Sequence, residues 1–159
     1  KKLKIMSTFE TTAQKNTDII KRLFDKDYYK VYIPSDIYSC YDGLVLNTKE
    51  NKVFIVEVKV RNFDSKFARN SYNFEFMLEK EKYDCLNNIA NGYGDKYKVE
   101  VIYVNVTSDE RVFVFDITGK EYNWFAKTMP STTCGNGFYK EKLITLLPIE
   151  QVNYVIHYK

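Results

Sequence analysis

The sequence predicts an α/β domain in which a mixed central β-sheet is flanked by α-helices. Three observations lead there. Segments of helical and of strand periodicity follow one another in the order helix, three strands, helix, two strands. One of the strands, Lys52 to Arg61, is apolar on both faces, which calls for cover on both sides of a sheet. The 159-residue chain has no internal repeat and no Pro/Gly/Ser-rich linker, so a single domain over residues 1–159 accommodates every element.

Taken in order, Phe9, Ala13, Ile20, Leu23 and Phe24 recur at helical spacing between Ser7 and Lys26, with Ser7 or Thr8 as cap. Tyr28 to Ile33, Ile37 to Asn47 and Lys52 to Arg61 are rich in β-branched and aromatic residues and are separated by short polar turns. They read as an antiparallel meander. A second helix is predicted from Tyr72 to Asn91, with Phe74, Leu78, Cys85 and Ile89 on one stripe and Asn91-Gly92 as its stop. Strands follow at Lys98 to Val106 and Arg111 to Asp116. Beyond them the patterns weaken: Trp124 is placed in a short helix, Thr132 to Phe138 in a loop, and Lys142 to Leu147 in a strand. The core therefore spans about residues 7–116, with a C-terminal elaboration over 117–159.

Composition excludes several classes. The formal charge of +3 is too small to argue for nucleic acid by itself. Cys40, Cys85 and Cys134 are odd in number and contain no CxxC pair, which argues against a disulfide framework or a zinc ribbon and for a reducing, cytoplasmic setting. No apolar run approaches the roughly 18 residues of a membrane span, and Lys1 to Met6 lacks the apolar centre of a secretory signal. The absence of an initial Met points to a trimmed start. With His157 as the one histidine, beside the C-terminus, a Ser/His/Asp triad, a histidine-rich zinc site or an HNH-type nuclease has little to work with. Gly92-Tyr93-Gly94-Asp95 lacks the spacing and the Lys-Ser/Thr of a P-loop.

The chemistry concentrates on one hairpin. In Lys52 to Arg61, alternation puts Val53, Ile55, Glu57 and Lys59 on one face and Phe54, Val56, Val58 and Val60 on the other. A buried, unpaired carboxylate or ammonium there would cost several kcal/mol, so Glu57 and Lys59 need compensation. Asp42, on the preceding strand, supplies a third charge. If Thr48 to Asn51 form a four-residue loop, paired residue numbers sum to 99 and Asp42 faces Glu57, with Cβ atoms about 5 Å apart. Two carboxylates so placed share a proton or bind a hard cation such as magnesium or manganese, with Lys59 ready to orient a water or meet a phosphate. If Glu50-Asn51 is instead a two-residue turn, the sum is 101 and Asp42 makes an ordinary ion pair with Lys59.

Asp42, fourteen residues, then Glu57-Val58-Lys59, between two helices, resembles the PD-(D/E)XK nuclease superfamily, with Tyr41 in place of the Pro before the Asp. The resemblance implies a restriction-endonuclease-like core and magnesium- or manganese-dependent hydrolysis of phosphodiesters in DNA. It implies metal binding by Asp42, Glu57 and the Val58 carbonyl, with Lys59 serving the nucleophilic water. Glu79 with Lys82-Tyr83 after the strand is similar to small phage and bacterial members. The family often places a Lys on the second helix, which fits Lys82 inside the stripe Leu78-Cys85-Ile89. A lysine snorkelling to the rim fits the same position, and Glu79 reads as its helix partner. Glu10 matches an acid that many members carry on the first helix, although a first-turn Glu also suits the helix dipole.

Lys66, Arg69, Lys140 and Lys142, expected in loops or at element ends, are the candidates for contact with nucleic-acid backbone. A homodimer would suit an enzyme that cuts both strands. Two other readings stand beside this one: a nuclease-like fold used only for binding, as an accessory or inhibitory subunit, and an RNA-cleaving nuclease.

Overall fold

The computed structural model describes residues 8–36, 38–130 and 137–157, and side chains from 11 to 156 within them. The architecture is the expected one, a mixed central sheet with helices packed on it. A first helix, α1 (Thr8–Leu23), leads into β1 (Tyr29–Tyr32), β2 (Gly43–Asn47) and β3 (Lys52–Val60), an antiparallel meander. The chain then runs through a short helix α2 (Ser65–Ser71), strand β4 (Glu75–Glu79) and helix α3 (Lys80–Gly92). It returns as β5 (Lys98–Val106), parallel to β3, as a crossover of that length permits. Strands β6 (Arg111–Asp116) and β9 (Tyr154–His157) complete a six-stranded sheet of order β1-β2-β3-β5-β6-β9. A second, antiparallel sheet of order β4-β8-β7 adds β7 (Phe125–Pro130) and β8 (Tyr139–Pro148).

Strand β3 is the middle of the molecule because both of its faces are apolar. Val56 and Val58 join Ile102, Val104, Val112 and Val114 beneath the α1 residue Ile20, forming one core. Ile55 joins Val101, Tyr103, Phe113 and Phe115 beneath Phe76 and Leu78 of β4 and Leu86 of α3, forming the other. Nine-residue β3 and β5 pair over their full length, which fixes the residues between the two layers.

The β2–β3 hairpin has the four-residue loop. Gly43 pairs with Val56 and Asn47 with Lys52, so partners sum to 99. The Asn47 side chain selects this turn: its Oδ1 accepts from the amides of Lys49 (3.0 Å) and Glu50 (3.2 Å). Asn51 closes it in the left-handed region, at φ 51°, where Asn is tolerated.

Several expectations are corrected. The predicted second helix over Tyr72 to Asn91 is three elements. Helix α2 is capped by Asp64, whose carboxylate accepts from the Phe67 amide, and it stops where Asn73 and Phe74 take positive φ and the Phe74 amide bonds back to the Ala68 carbonyl. Phe76 and Leu78 then lie on one face of β4, a period of two. Only Lys80–Gly92 is helical there. The second meander strand starts at Gly43, not Ile37, and residue 37 itself lies outside the described residues. Trp124 precedes β7 in chain without regular secondary structure instead of sitting in a helix. The strand expected at Lys142 to Leu147 is longer, and β7 and β9 were not anticipated. Most of the loop expected over Thr132 to Phe138 lies outside the described residues, as does Cys134.

Cys40 and Cys85 are bridged by a disulfide, with Cα atoms 6.4 Å apart, against the expectation of free thiols. Their separation of 45 residues conceals a proximity that appears only when α3 packs beside the segment entering β2. No helix among the described residues is long and apolar enough to cross a membrane.

Candidate active site

The site forms where β2 parts from β3. Strand pairing ends at Gly43–Val56, and one residue further out the Asp42 amide still donates to the Val56 carbonyl at 2.8 Å. Beyond that point the N–H and C=O of Val58 have no strand partner on the β2 side. The Asp42 carboxylate replaces the missing strand, accepting the Val58 amide on Oδ2 at 2.7 Å. Among the described residues the Val58 carbonyl receives only a long hydrogen bond, 3.4 Å, from Nδ2 of Asn16 on α1.

Glu57 projects from β3 into the other layer and is 3% exposed. Its Oε1 carries two ammonium groups, Lys59 Nζ and Lys82 Nζ, each at 3.1 Å. Lys82 also donates to the Cys40 carbonyl at 2.8 Å, so it ties α3 to both β3 and the segment entering β2. Burial pushes the Glu57 carboxyl above the ordinary carboxylate range; Lys59 and Lys82 pull it down, and Asp42 adds to the rise. Burial would lower Lys59, but the Glu57 carboxylate, Tyr103 and Asp42 outweigh it and hold the ammonium above its usual value. The Lys59 side chain is 42% exposed and that of Lys82 is 23% exposed. All of these groups line one open cleft of about 450 Å³, floored by Asp42, Glu57, Val58 and Lys59 and walled by Thr12 and Asn16 of α1.

Among the described residues, no three His, Cys, Asp or Glu side chains cluster as metal ligands. What the site offers is two carboxylates whose remaining oxygens, Asp42 Oδ1 and Glu57 Oε2, have no hydrogen bond or ion pair among the described residues, together with the under-used Val58 carbonyl. An all-oxygen donor set that is incomplete without water suits magnesium or manganese, which keep several waters of their own. The residues fit that cation.

The structure brings Asp42, Glu57, Val58 and Lys59 together through the hairpin register, and α3 adds Lys82. Glu10 lies on α1, but its side chain is outside the described residues. Glu79 is not the helix partner of Lys82: it ends β4 and pairs with Lys142 at 3.0 Å. Of the candidate backbone contacts, Lys66, Arg69 and Lys140 lie near element ends, as expected, and Lys142 lies further along its strand; none lines the cleft. Lys66 and Arg69 are exposed on α2, with Arg69 over the Phe74 ring at 5.2 Å, and Lys140 and Lys142 are on β8.

Sequence reasoning missed Asn16 and Cys40. Asn16 had a readable signal, since it interrupts the apolar stripe Ala13, Ile20, Leu23 with a polar residue that is only 7% exposed in the fold. Cys40 had none, because its role rests on a backbone carbonyl.

No protein-family model matches the chain, and no curated protein does. Among solved structures, the chain is similar to Hjc of Archaeoglobus fulgidus, a Holliday junction resolvase from an archaeal hyperthermophile. The identity is 12%, the TM-score 0.51, and the match covers 84% of this chain and 83% of that one. The likeness is one of fold: the chain shares the mixed α/β architecture of that resolvase, a mixed central sheet with flanking helices.

Proposed function

We propose that the protein is a divalent-cation-dependent nuclease that hydrolyses phosphodiesters in DNA. The observation that carries this reading is the arrangement around Glu57: a buried carboxylate, neutralised on one oxygen by two lysines, has no hydrogen bond or ion pair on its second oxygen among the described residues and lines an open cleft beside Asp42. An ion triad built for stability alone would use both oxygens.

Asp42, Glu57 and the Val58 carbonyl would hold the cation. Bound there, magnesium or manganese supplies Lewis acidity, making a water a stronger nucleophile and offsetting charge on the phosphate. The chain's own residues divide the remaining work. The Val58 amide orients Asp42. Lys82, fixed between Glu57 and the Cys40 carbonyl, keeps Glu57 ionised. Lys59, the more exposed of the two lysines, turns its ammonium toward the attacking water and a phosphate oxygen, where developing charge strengthens the contact. Lys66, Arg69 and Lys140 contact the backbone of longer DNA, and a homodimer places a second site on the opposite strand.

The test is cleavage of supercoiled, linear and four-way-junction DNA, and of RNA, in magnesium, manganese and EDTA, beside Lys59→Ala. The junction is included because the similar fold of Hjc belongs to a resolvase. Metal-dependent cutting that falls about 100-fold or more in Lys59→Ala is the expected result. Wild type and variant equally inert on DNA and RNA, while both still bind, would replace the nuclease with a binding or accessory subunit. Cutting confined to RNA would overturn the choice of DNA.

A further inference from the structure

The Cys40–Cys85 bridge lies where it touches both halves of the site. Cys40 is two residues before Asp42, and its own carbonyl receives the Lys82 ammonium. Cys85 is on α3, one helical turn beyond Lys82. The bridge and the Lys82 hydrogen bond therefore run side by side from one helix to one short segment. That segment is irregular: between β1 and β2 the backbone has no ladder, and regular pairing resumes only at Gly43. Both cysteines are half-buried at the edge of the core rather than sealed within it, so an exchanging thiol can reach them.

We propose that Cys40–Cys85 is a redox latch on the active site, closed when the bridge is formed and open when it is reduced. The proposal rests on the nuclease reading for its consequence, though not for the latch itself. Closure takes an external disulfide such as oxidised glutathione. One cysteine thiolate attacks it and expels a glutathione thiolate, and the second cysteine thiolate attacks the mixed disulfide and expels the other. Two electrons pass from the protein to the oxidant, and the two protons of the cysteine thiols end on the departing thiols. A dithiol reductant runs the same steps backwards. With the latch open, the covalent tie between the segment bearing Asp42 and α3 is gone, leaving the Lys82 bond and the apolar packing of Cys40 and Tyr41. The carboxylate then loses its fixed position against the Val58 amide, and misplacement on the order of 1 Å costs roughly 100-fold in rate.

The experiment compares wild type and Cys85→Ser, each in a Cys134→Ser background, after equilibration with oxidised glutathione or with dithiothreitol. Three quantities are read: alkylatable thiols by intact mass, backbone hydrogen exchange over residues 38–42, and cleavage rate. For the wild-type pair we expect no alkylatable thiol when oxidised and two when reduced. Exchange over 38–42 should be faster at least tenfold in the reduced form, and cleavage slower by about the same factor or more. Cys85→Ser, which cannot close the bridge, should match the reduced form in exchange and cleavage in both buffers, with one alkylatable thiol in dithiothreitol and Cys40 carried as a glutathione mixed disulfide in oxidised glutathione. Two thiols in the oxidised sample, or exchange that ignores redox state, overturns the latch. Redox-dependent exchange with no cleavage in either state upholds the latch and overturns the nuclease reading. Cleavage that is equal in both states while exchange differs overturns the coupling between them.

Discussion

Lys82→Met separates a lysine that organises the site from one that merely reaches the rim. Methionine keeps the unbranched stem and removes the ammonium. Two interactions are lost, the bond to the Cys40 carbonyl at 2.8 Å and the ion pair with Glu57 at 3.1 Å. The carbonyl bond contributes about 1 kcal/mol and the charge-assisted contact to a buried carboxylate about 1.5–3 kcal/mol. The partner Lys59 cannot compensate in full, because its side chain is 42% exposed and its pairing is weakened by solvent. A total near 3 kcal/mol, at about 2–4 °C per kcal/mol for a chain of this size, lowers Tm by roughly 6–12 °C. Thermal melts followed by circular dichroism read this directly. A double-mutant cycle with Glu57→Gln divides it: in that background Lys82→Met should cost only the carbonyl bond, about 1 kcal/mol, leaving a coupling of at least 1.5 kcal/mol. A Tm change within 2 °C, or a coupling indistinguishable from zero, would sink the assignment and return Lys82 to the snorkelling class.

Cation binding should weaken on acidification, because burial holds the Glu57 carboxyl above the ordinary range and the proton competes with the metal. Calorimetric titration with manganese between pH 8 and pH 5 should show affinity falling toward tenfold per unit once the pH drops below that raised value; a flat profile refutes it. The metal-free fold has the opposite sign. A raised carboxyl contributes stability that is fully present below the unfolded pKa of about 4.3 and is lost as pH rises through the folded one, so urea midpoints should decline over that interval. Asn16→Leu should be neutral or raise Tm by up to about 4 °C, since among the described residues the buried Asn16 Oδ1 has no hydrogen-bond partner and Nδ2 makes only a 3.4 Å bond. A fall of similar size would mean that the amide is more firmly held than its contacts indicate. Gly43→Ala should destabilise by about 1 kcal/mol in chemical denaturation, because its Cβ would meet Ile20 Cδ1 at 2.9 Å, a flexible tip that can yield. A loss above about 3 kcal/mol would show instead that the backbone has to move.

The central strands were legible because their information is local. Lys98–Val106 and Arg111–Asp116 came out at the expected bounds, since long β-branched runs bounded by turn residues leave little alternative. The segment from Ser65 to Gly92 misled because Phe74 and Leu78 are spaced by four, which satisfies a helix and a strand equally. What settles it is Asn73, whose tolerance of positive φ ends α2 and lets Phe76 and Leu78 turn to one side of β4. The hairpin register was open for a related reason. Asn47 and Asn51, the two residues that choose the four-residue loop, act through a side-chain turn and a left-handed φ, signals that strand alternation does not contain. The disulfide and the Lys82–Cys40 bond belong to a third kind, contacts across more than 40 residues that exist only once α3 is docked.

Those long-range contacts explain why the charges of this site persist together in so apolar a setting. Strand β3 is covered on both faces, and Glu57 would be expelled from it or neutralised were its partners absent. The partners come from two separate elements, Lys59 from the same strand and Lys82 from the crossover helix, while Asp42, immediately before β2, adds a like charge that makes both lysines necessary. Because β2 begins only at Gly43, one residue after Asp42, the sheet opens beside Glu57 instead of sealing it, and the Val58 carbonyl is left without a strand partner at the same place. A longer β2 would bond Val58 in the ladder, bury Glu57 Oε2, and leave a stable ion pair with no cleft. Extending the pairing by one or two residues should therefore raise stability while abolishing cation binding, the exchange expected of a site built on an interrupted sheet.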